Sequence, residues 1–378
     1  MPGLAVAASG SPFKKTRRAE YRYGPVSVEA EEPIAPLIDP SLYDNRALIL
    51  VPDIYATWPQ VGALPRAASY HELTRMLEAY MERSCSRRLP PGLCSRVEYR
   101  AVPSAGEAGG WRYTARPGDT LLYSLLHAAR IAEAGRLTRV YLLAAEEQHP
   151  PHTLAAHTAA LLAAALAGAE YVELHQEPQP YPRRGTPLID TLEAYTLPSE
   201  SAARILEALA PEEPPEQLLA PRGPAKPPRL RRIREARRLV NTLNHVRRCM
   251  LLPLIHEACS GSPASRLAGV LAEAAEAYAS ASRLAKKRGG GTVAHGLEAS
   301  AGALHALAAG AALQALAARL VEPSRGEACR EEGVPRTVVE KLAKLLGCPG
   351  DETPRTCVEE RDERLRLRQG CLRTLLAA

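Results

Sequence analysis

An arginine and a histidine face each other across three glycines in the segment LAKKRGGGTVAHGLEAS, as Arg288 and His295. Arg288 is a permanent cation, and a neutral imidazole at His295 could move protons near pH 7. Together they would suit phosphoryl transfer from RNA, one group handling the proton and the other stabilising extra charge on phosphorus. The alternative is structural, a histidine capping a helix beside a solvated arginine. The flanking residues set the expected geometry. Leu267, Val270, Leu271, Ala274, Tyr278, Ala281 and Leu284 recur at helical spacing after the start signal Ser262-Pro263. Lys286, Lys287 and Arg288 would close that helix, Gly289 to Gly291 would stop it, and Thr292 would cap another running to about Leu320. His295 is then expected in the first turn of a helix, whose positive end keeps imidazole neutral.

Basic side chains crowd the stretch just upstream. Ile233, Ala236, Val240 and Leu243 form one apolar stripe, flanked by Arg229, Arg231, Arg232, Arg234, Arg237, Arg238, Arg247 and Arg248. Such a helix is either a solvated face or a track for a phosphate backbone, with Arg231, Arg234 and Arg238 as the RNA-binding candidates. Arg238 and His245 form a second arginine–histidine pair at the same spacing; on one helix they would lie about 10 Å apart along the axis.

In the first half, apolar runs alternate with helical patterns. Ala47 to Pro52, Arg96 to Val102, Arg139 to Ala145 and Tyr171 to Leu174 read as strands. Ala67 to Ser84, Arg116 to Gly135 and Thr153 to Gly168 read as helices. This alternation predicts a Rossmann-like doubly wound parallel sheet, whose ligands bind over the carboxyl ends of the strands. The loops that would line such a site offer Asp53, Thr57 and Trp58, then Gly118, Asp119 and Thr120, then Glu146 and His149. Neither GxGxxG nor GxxxxGK[ST] is present, so no standard dinucleotide site or P-loop is supported. The fold class expected is α/β plus all-α. Residues 1–45 read as an extension, 46–177 as the α/β domain, 178–228 as a Pro-rich connector with short helices, and 229–378 as a helical domain. The last helices are expected at Val338 to Leu346 and Arg364 to Leu376.

Composition sets loose bounds. The 378 residues carry a net charge of +6, which allows a nucleic-acid partner without requiring one. No secretory leader and no membrane span is read, so a cytoplasmic location is the default expectation. The eight cysteines form no CxxC pair and the histidines lack zinc spacing, so no metal is expected and most cysteines read as buried thiols. One or two disulfides among Cys329, Cys348, Cys357 and Cys371 would fit a hyperthermophilic host.

The order of these features resembles the CRISPR-associated CARF–HEPN ribonucleases of type III systems, ancillary proteins named for a DxTHG motif. ALILVPDIYATWPQV is similar to that family's first strand and its tryptophan-bearing loop. VYLLAAEEQHPPHTLAAHTAALLAAALAGAEYVEL is similar to the DxTHGxN strand end, its helix and the next strand, although only His149 and an acid at Glu146 match. TLNHVRRCMLLPLI is similar to the start of the helical domain, and RGGGTVAHG falls where the family's R-x(4–6)-H motif would stand. The resemblance implies a CARF sensor followed by a HEPN domain. It also implies a metal-independent, single-strand RNA endonuclease with no cofactor, switched on by cyclic oligoadenylate, most simply the tetramer. The ring would bind across a homodimer or a higher even oligomer, with Arg288 and His295 as the catalytic pair. The rivals are a cyclic-oligoadenylate-binding regulator or DNA-binding protein without nuclease activity, a ring nuclease acting on the signal itself, and a scaffold.

Overall fold

The computed structural model describes residues 3–8, 19–41, 44–64, 66–144, 150–176, 195–223, 227–321, 333–361, 363–368 and 371. The first half comprises β1 (Leu4–Ala8), β2 (Ala19–Tyr23), β3 (Val26–Ala30), β4 (Arg46–Pro52), α1 (Tyr70–Arg88), β5 (Val97–Val102), β6 (Ala105–Ala108), β7 (Trp111–Thr114), α2 (Pro117–Ala134), β8 (Arg139–Ala144), α3 (Pro150–Ala167) and β9 (Tyr171–Gln176). Then come β10 (Tyr195–Pro198), α4 (Ser199–Leu209), β11 (Leu219–Pro221), α5 (Ile233–Arg247), α6 (Leu251–Ala258), α7 (Pro263–Ser280), β12 (Ser282–Lys287), β13 (Gly290–His295) and β14 (Leu297–Ala299). The chain continues with α8 (Ala301–Val321), β15 (Val334–Pro335), α9 (Arg336–Leu346), β16 (Val358–Arg361) and β17 (Arg364–Leu367).

The architecture is mixed α/β. The main sheet runs β10-β9-β8-β1-β4-β5 and is parallel except for β10. β1 lies at its middle, paired with β4 on one side and β8 on the other. All five of its residues are buried, as a strand covered on both faces requires. This corrects the reading of residues 1–45 as an extension. That segment supplies a central strand, the β2–β3 hairpin and a buried short 3-10 turn at Ala35–Ile38. The apolar run Leu4–Ala8 is short and alanine-rich, and its burial comes from neighbours on both sides rather than from large side chains.

The second half is not all-helical and does not stand apart. α7 packs on α2, and α8 packs on α3, α4, α5 and α6. α8 is the one described helix long and apolar enough to cross a membrane by composition, with mean hydropathy 1.4, and 83% of that stretch is buried within the protein. Gly310 lets it approach α5 closely: a Cβ there would stand 1.9 Å from the Leu239 carbonyl oxygen. Between α7 and α8 the chain makes the β12–β13 hairpin, which joins β7 and β6 in a four-stranded sheet, order β12-β13-β7-β6. The expected terminal helix from Arg364 begins as strand β17, antiparallel to β16.

The described cysteines are not thiols. Cys85 pairs with Cys94, Cys249 with Cys348 and Cys357 with Cys371, and Cys259 is also disulfide-bonded. Cys249–Cys348 closes a loop across 99 positions, tying the α5–α6 junction to the end of α9. Such a crosslink stabilises chiefly by restricting the unfolded chain.

Deleting residues 1–8 should abolish cooperative folding, because β1 bridges the two wings of the sheet. Circular dichroism and thermal melting check this. A truncated chain that stays soluble and melts like the full protein would return the segment to the status of an extension.

Candidate functional site

The strand order determines where a ligand would sit. From β1 the chain moves outward to β4 and β5, then crosses back to β8 on the other side of β1 and on to β9. The switch point is therefore between β1 and β8, and the crevice outside their carboxyl ends is the expected binding position in a sheet of this kind. The described strands β1 and β8 end there at Ala8 and Ala144, and the residues that follow each lie outside the described ones. Glu146 and His149 are among those after Ala144.

The other six ligand candidates are placed differently. Asp53 follows β4 and is fully buried, accepting hydrogen bonds from the Tyr70 hydroxyl at 2.9 Å and from the Ser104 amide at 2.9 Å. Its oxygens are occupied by protein. Thr57 bonds back to the Ile54 carbonyl, and Trp58 stacks on Tyr55 with Arg88 over its ring at 5.8 Å. Gly118, Asp119 and Thr120 do open α2, but its first turn is covered: a Cβ on Gly118 would stand 2.0 Å from the Ala299 carbonyl oxygen. No phosphate can approach those amides. Thr120 Oγ1 donates to the Pro103 carbonyl.

Asp119 joins the two halves of the chain. One carboxylate oxygen accepts from the Arg116 amide (2.8 Å) and from Arg222 Nη2 (2.6 Å), and the other accepts from the Ala299 amide (2.8 Å). Arg222 also donates to the Thr114 carbonyl. β11 and β14 pair antiparallel beside this junction. Burial pushes the Asp119 carboxyl upward, and its hydrogen bonds and Arg222 pull it back.

Arg288 and His295 are not brought together. α7 ends at Ser280, and the segment from Ser282 to His295 forms the β12–β13 hairpin instead of a helix–glycine–helix. Arg288 sits in the exposed turn, while His295 ends β13 and is 3% exposed. From Gly290 to His295 the strand rises about 17 Å, at roughly 3.3 Å per residue, which separates the two side chains. Nor is His295 at a helix start. It stacks on Tyr278 at 5.0 Å and meets the edge of Tyr70 at 4.9 Å. Its Nδ1 lies 2.9 Å from Ser282 Oγ, whose own proton goes to the Tyr278 carbonyl. That network assigns the imidazole proton to Nδ1. Nε2 is left as a buried lone pair with no hydrogen-bond partner among the described residues. Burial, with Arg222 second, lowers the pKa of the ring to about 3. The imidazole is neutral, as expected, but desolvation is the cause rather than a helix dipole.

Around His295 the interior is unusually polar for a core. Tyr70, Tyr113 and Tyr278 are buried with Asp53 and Asp119, and Tyr123 packs on Tyr278. The Tyr113 hydroxyl has no partner among the described residues, and that of Tyr278 faces Asp119 without completing a bond of ordinary geometry. Of these tyrosines the sequence marks only Tyr278, and only as part of an apolar helical stripe. A signal was available: the chain has 14 tyrosines and one phenylalanine, so its buried aromatic positions carry hydroxyls.

The arginine-rich stretch forms helix α5 with Ala236, Leu239, Val240, Leu243 and Val246 buried, but of its eight arginines only Arg234, Arg237, Arg238 and Arg247 lie within the helix. Arg237 pairs with Glu216, Arg232 with Glu235 and Arg247 with Glu212. Arg231, Arg234 and Arg238 are exposed and make no side-chain ion pair among the described residues. Arg238 and His245 are on opposite sides of the surface boundary, since His245 is buried. A cavity of about 550 Å³ lined by Arg136, Ser262 and Arg319 holds none of the expected site residues. No group of His, Cys, Asp and Glu that could hold a metal occurs among the described residues. Compared with models of protein families and with curated proteins, the chain matches none.

Asp53 and His295 should tilt the pH dependence of stability in opposite directions. Burial raises Asp53 from 3.8 to about 7, so the folded state binds that proton more tightly and its contribution is lost as pH rises through about 7. His295 is lowered from 6.5 to about 3, so its contribution is present above 6.5 and lost as pH falls. Between about pH 4 and 6.5 the two slopes oppose each other. Relative to wild type, Asp53→Asn should make unfolding free energy rise more steeply with pH there, by up to about 1.4 kcal/mol per unit. His295→Gln should shift the slope the other way. Urea unfolding at pH 4.5 and 6.5 measures both; unchanged slopes in both variants would contradict this account of the interior.

Proposed function

We propose that the protein is a nucleotide-responsive regulator that binds cyclic oligoadenylate and holds single-stranded RNA, without using Arg288 and His295 as a cleaving pair. The observation that carries this reading is the strand order, which puts a switch point between β1 and β8. A ring-shaped signal of repeated nucleotides suits a two-fold interface, in which each protomer offers the same crevice to one half of the ring. Cyclic tetra-adenylate is the simplest such ring, and a homodimer or higher even oligomer follows from it. The CARF-like half would be the sensor. Asp53 would act from behind the crevice, anchoring the end of β4 through Ser104 and Tyr70.

RNA would lie along Arg234 and Arg238, one helical turn apart on the exposed side of α5, and Arg231 in the turn just before it. Metal-independent RNA cleavage, which the family resemblance implies, needs a histidine that touches the reacting phosphate. His295 is enclosed by Tyr70, Tyr278 and Ser282, which favours the regulator reading over the endonuclease.

Isothermal titration with cyclic tetra-adenylate should give one ring per two chains. One ring per chain, or no binding, would defeat the sensor assignment. In a parallel RNA-cleavage assay with the ring present, Arg288→Ala should leave any cleavage unchanged. A tenfold or larger loss would restore the endonuclease reading.

A further inference from the structure

One face of the sheet formed by β12, β13, β7 and β6 carries exposed charged side chains that are mostly cationic. The registers Ala285↔Thr292, Thr292↔Arg112 and Glu107↔Arg112 align these side chains across all four strands. Two residues further on, Arg283 is opposite Ala294, and Lys287 is opposite Gly290 nearer the tip. Alternation sends Val293 and His295 inward, where they are buried, and Thr292 and Ala294 outward. The outward face is thus a floor of Ala, Thr and Gly with Arg112, Arg283 and Lys287 standing on it and Arg288 at the turn. All four cations are exposed. Arg112 has only Glu107, at 4.0 Å with both side chains largely solvated, and Arg283, Lys287 and Arg288 make no ion pair among the described residues.

We propose that this sheet face is a second docking surface for the phosphate backbone of single-stranded RNA. The inference rests on the nucleic-acid part of the function proposed above and extends it to a different surface. Charge complementarity selects a polyanion. The small side chains let a backbone lie close to the sheet, and Arg283 and Lys287 on edge strand β12, with Arg112 inside the sheet and the acid Glu107 beside it on β6, would contact phosphates rather than bases. A lipid surface carries anions as well, but a hairpin that binds one needs apolar side chains to insert. The large exposed hydrophobic residues described are Leu154, Leu209 and Leu345, none of them on this hairpin.

The test is fluorescence anisotropy with a labelled, mixed-sequence single-stranded RNA over a series of salt concentrations. It uses the full-length protein and three variants. Arg112→Ala, Arg283→Ala and Lys287→Ala combined should weaken binding at least tenfold at low salt. The slope of log affinity against log salt should shrink by about 2, at roughly 0.7 for each phosphate of a single strand that is no longer neutralised. Arg112→Lys with Arg283→Lys keeps the charges and should bind within about threefold of wild type. Arg231→Ala, Arg234→Ala and Arg238→Ala combined should weaken binding separately. Thermal melting checks that every variant folds. Wild-type affinity and slope in the hairpin alanine variant, with loss in the α5 variant, would overturn this inference alone. No RNA binding by wild type would overturn both it and the RNA part of the proposed function. Phosphatidylserine vesicles serve as the lipid arm: binding that depends on Arg112, Arg283 and Lys287 would replace RNA with a membrane.

Discussion

One buried carboxylate holds the two halves of this chain in register. Asp119 is fully enclosed, and its oxygens take the Arg116 amide at the start of α2, the Ala299 amide of β14 and the guanidinium of Arg222. Arg222 and Ala299 come from distant stretches of sequence, so their contacts cannot form until the halves meet. A charge removed from water costs several kcal/mol unless its hydrogen bonds are complete. Here they are complete, and the cost of losing one partner is correspondingly large. The same junction explains why the α2 N-terminus cannot serve as a phosphate cradle. Ala299 already occupies it, and Gly118 is glycine because no side chain fits there.

Much of the first half was legible because its signals are local. Ala47 to Val51 is a run of buried apolar residues, and Arg116-Pro-Gly-Asp announces a helix start, as the strand β4 and helix α2 show. β1 was hidden by its own composition: Leu4 to Ala8 holds three alanines, and its status as the central strand depends on partners more than forty and a hundred residues away. No local window contains that information. Asp53, Thr57, Trp58, Gly118, Asp119 and Thr120 lie away from the switch point for the same reason, since strand order, and β1 in particular, defines it.

The hairpin shows a different failure. Leu267 to Tyr278 does form the expected helix, but the apolar period continues by accident through Ala281 and Leu284, which belong to the turn and to β12. Basic residues at 286 to 288 look like a helix terminus and are a strand end and turn. The three glycines resemble a flexible stop. In the fold, Gly289 turns the chain at φ +83°, while Gly290 and Gly291 permit contact: added Cβ atoms would meet the Gly110 carbonyl oxygen at 2.0 Å and the Ala285 carbonyl oxygen at 2.5 Å. A motif defined by spacing alone, an arginine and a histidine with six residues between them, therefore has two unrelated destinations here, a solvated tip and a polar interior.

The chain folds as one unit around Asp119, with His295 inside it. Equilibrium urea unfolding of Asp119→Asn, followed by tryptophan fluorescence from Trp58 and Trp111 and by far-ultraviolet circular dichroism from the helices, tests it directly. Removing one member of a buried, hydrogen-bonded charge pair should cost about 3–5 kcal/mol, with both signals moving together. A loss under about 1 kcal/mol, or two separated transitions in the wild-type protein, would contradict it.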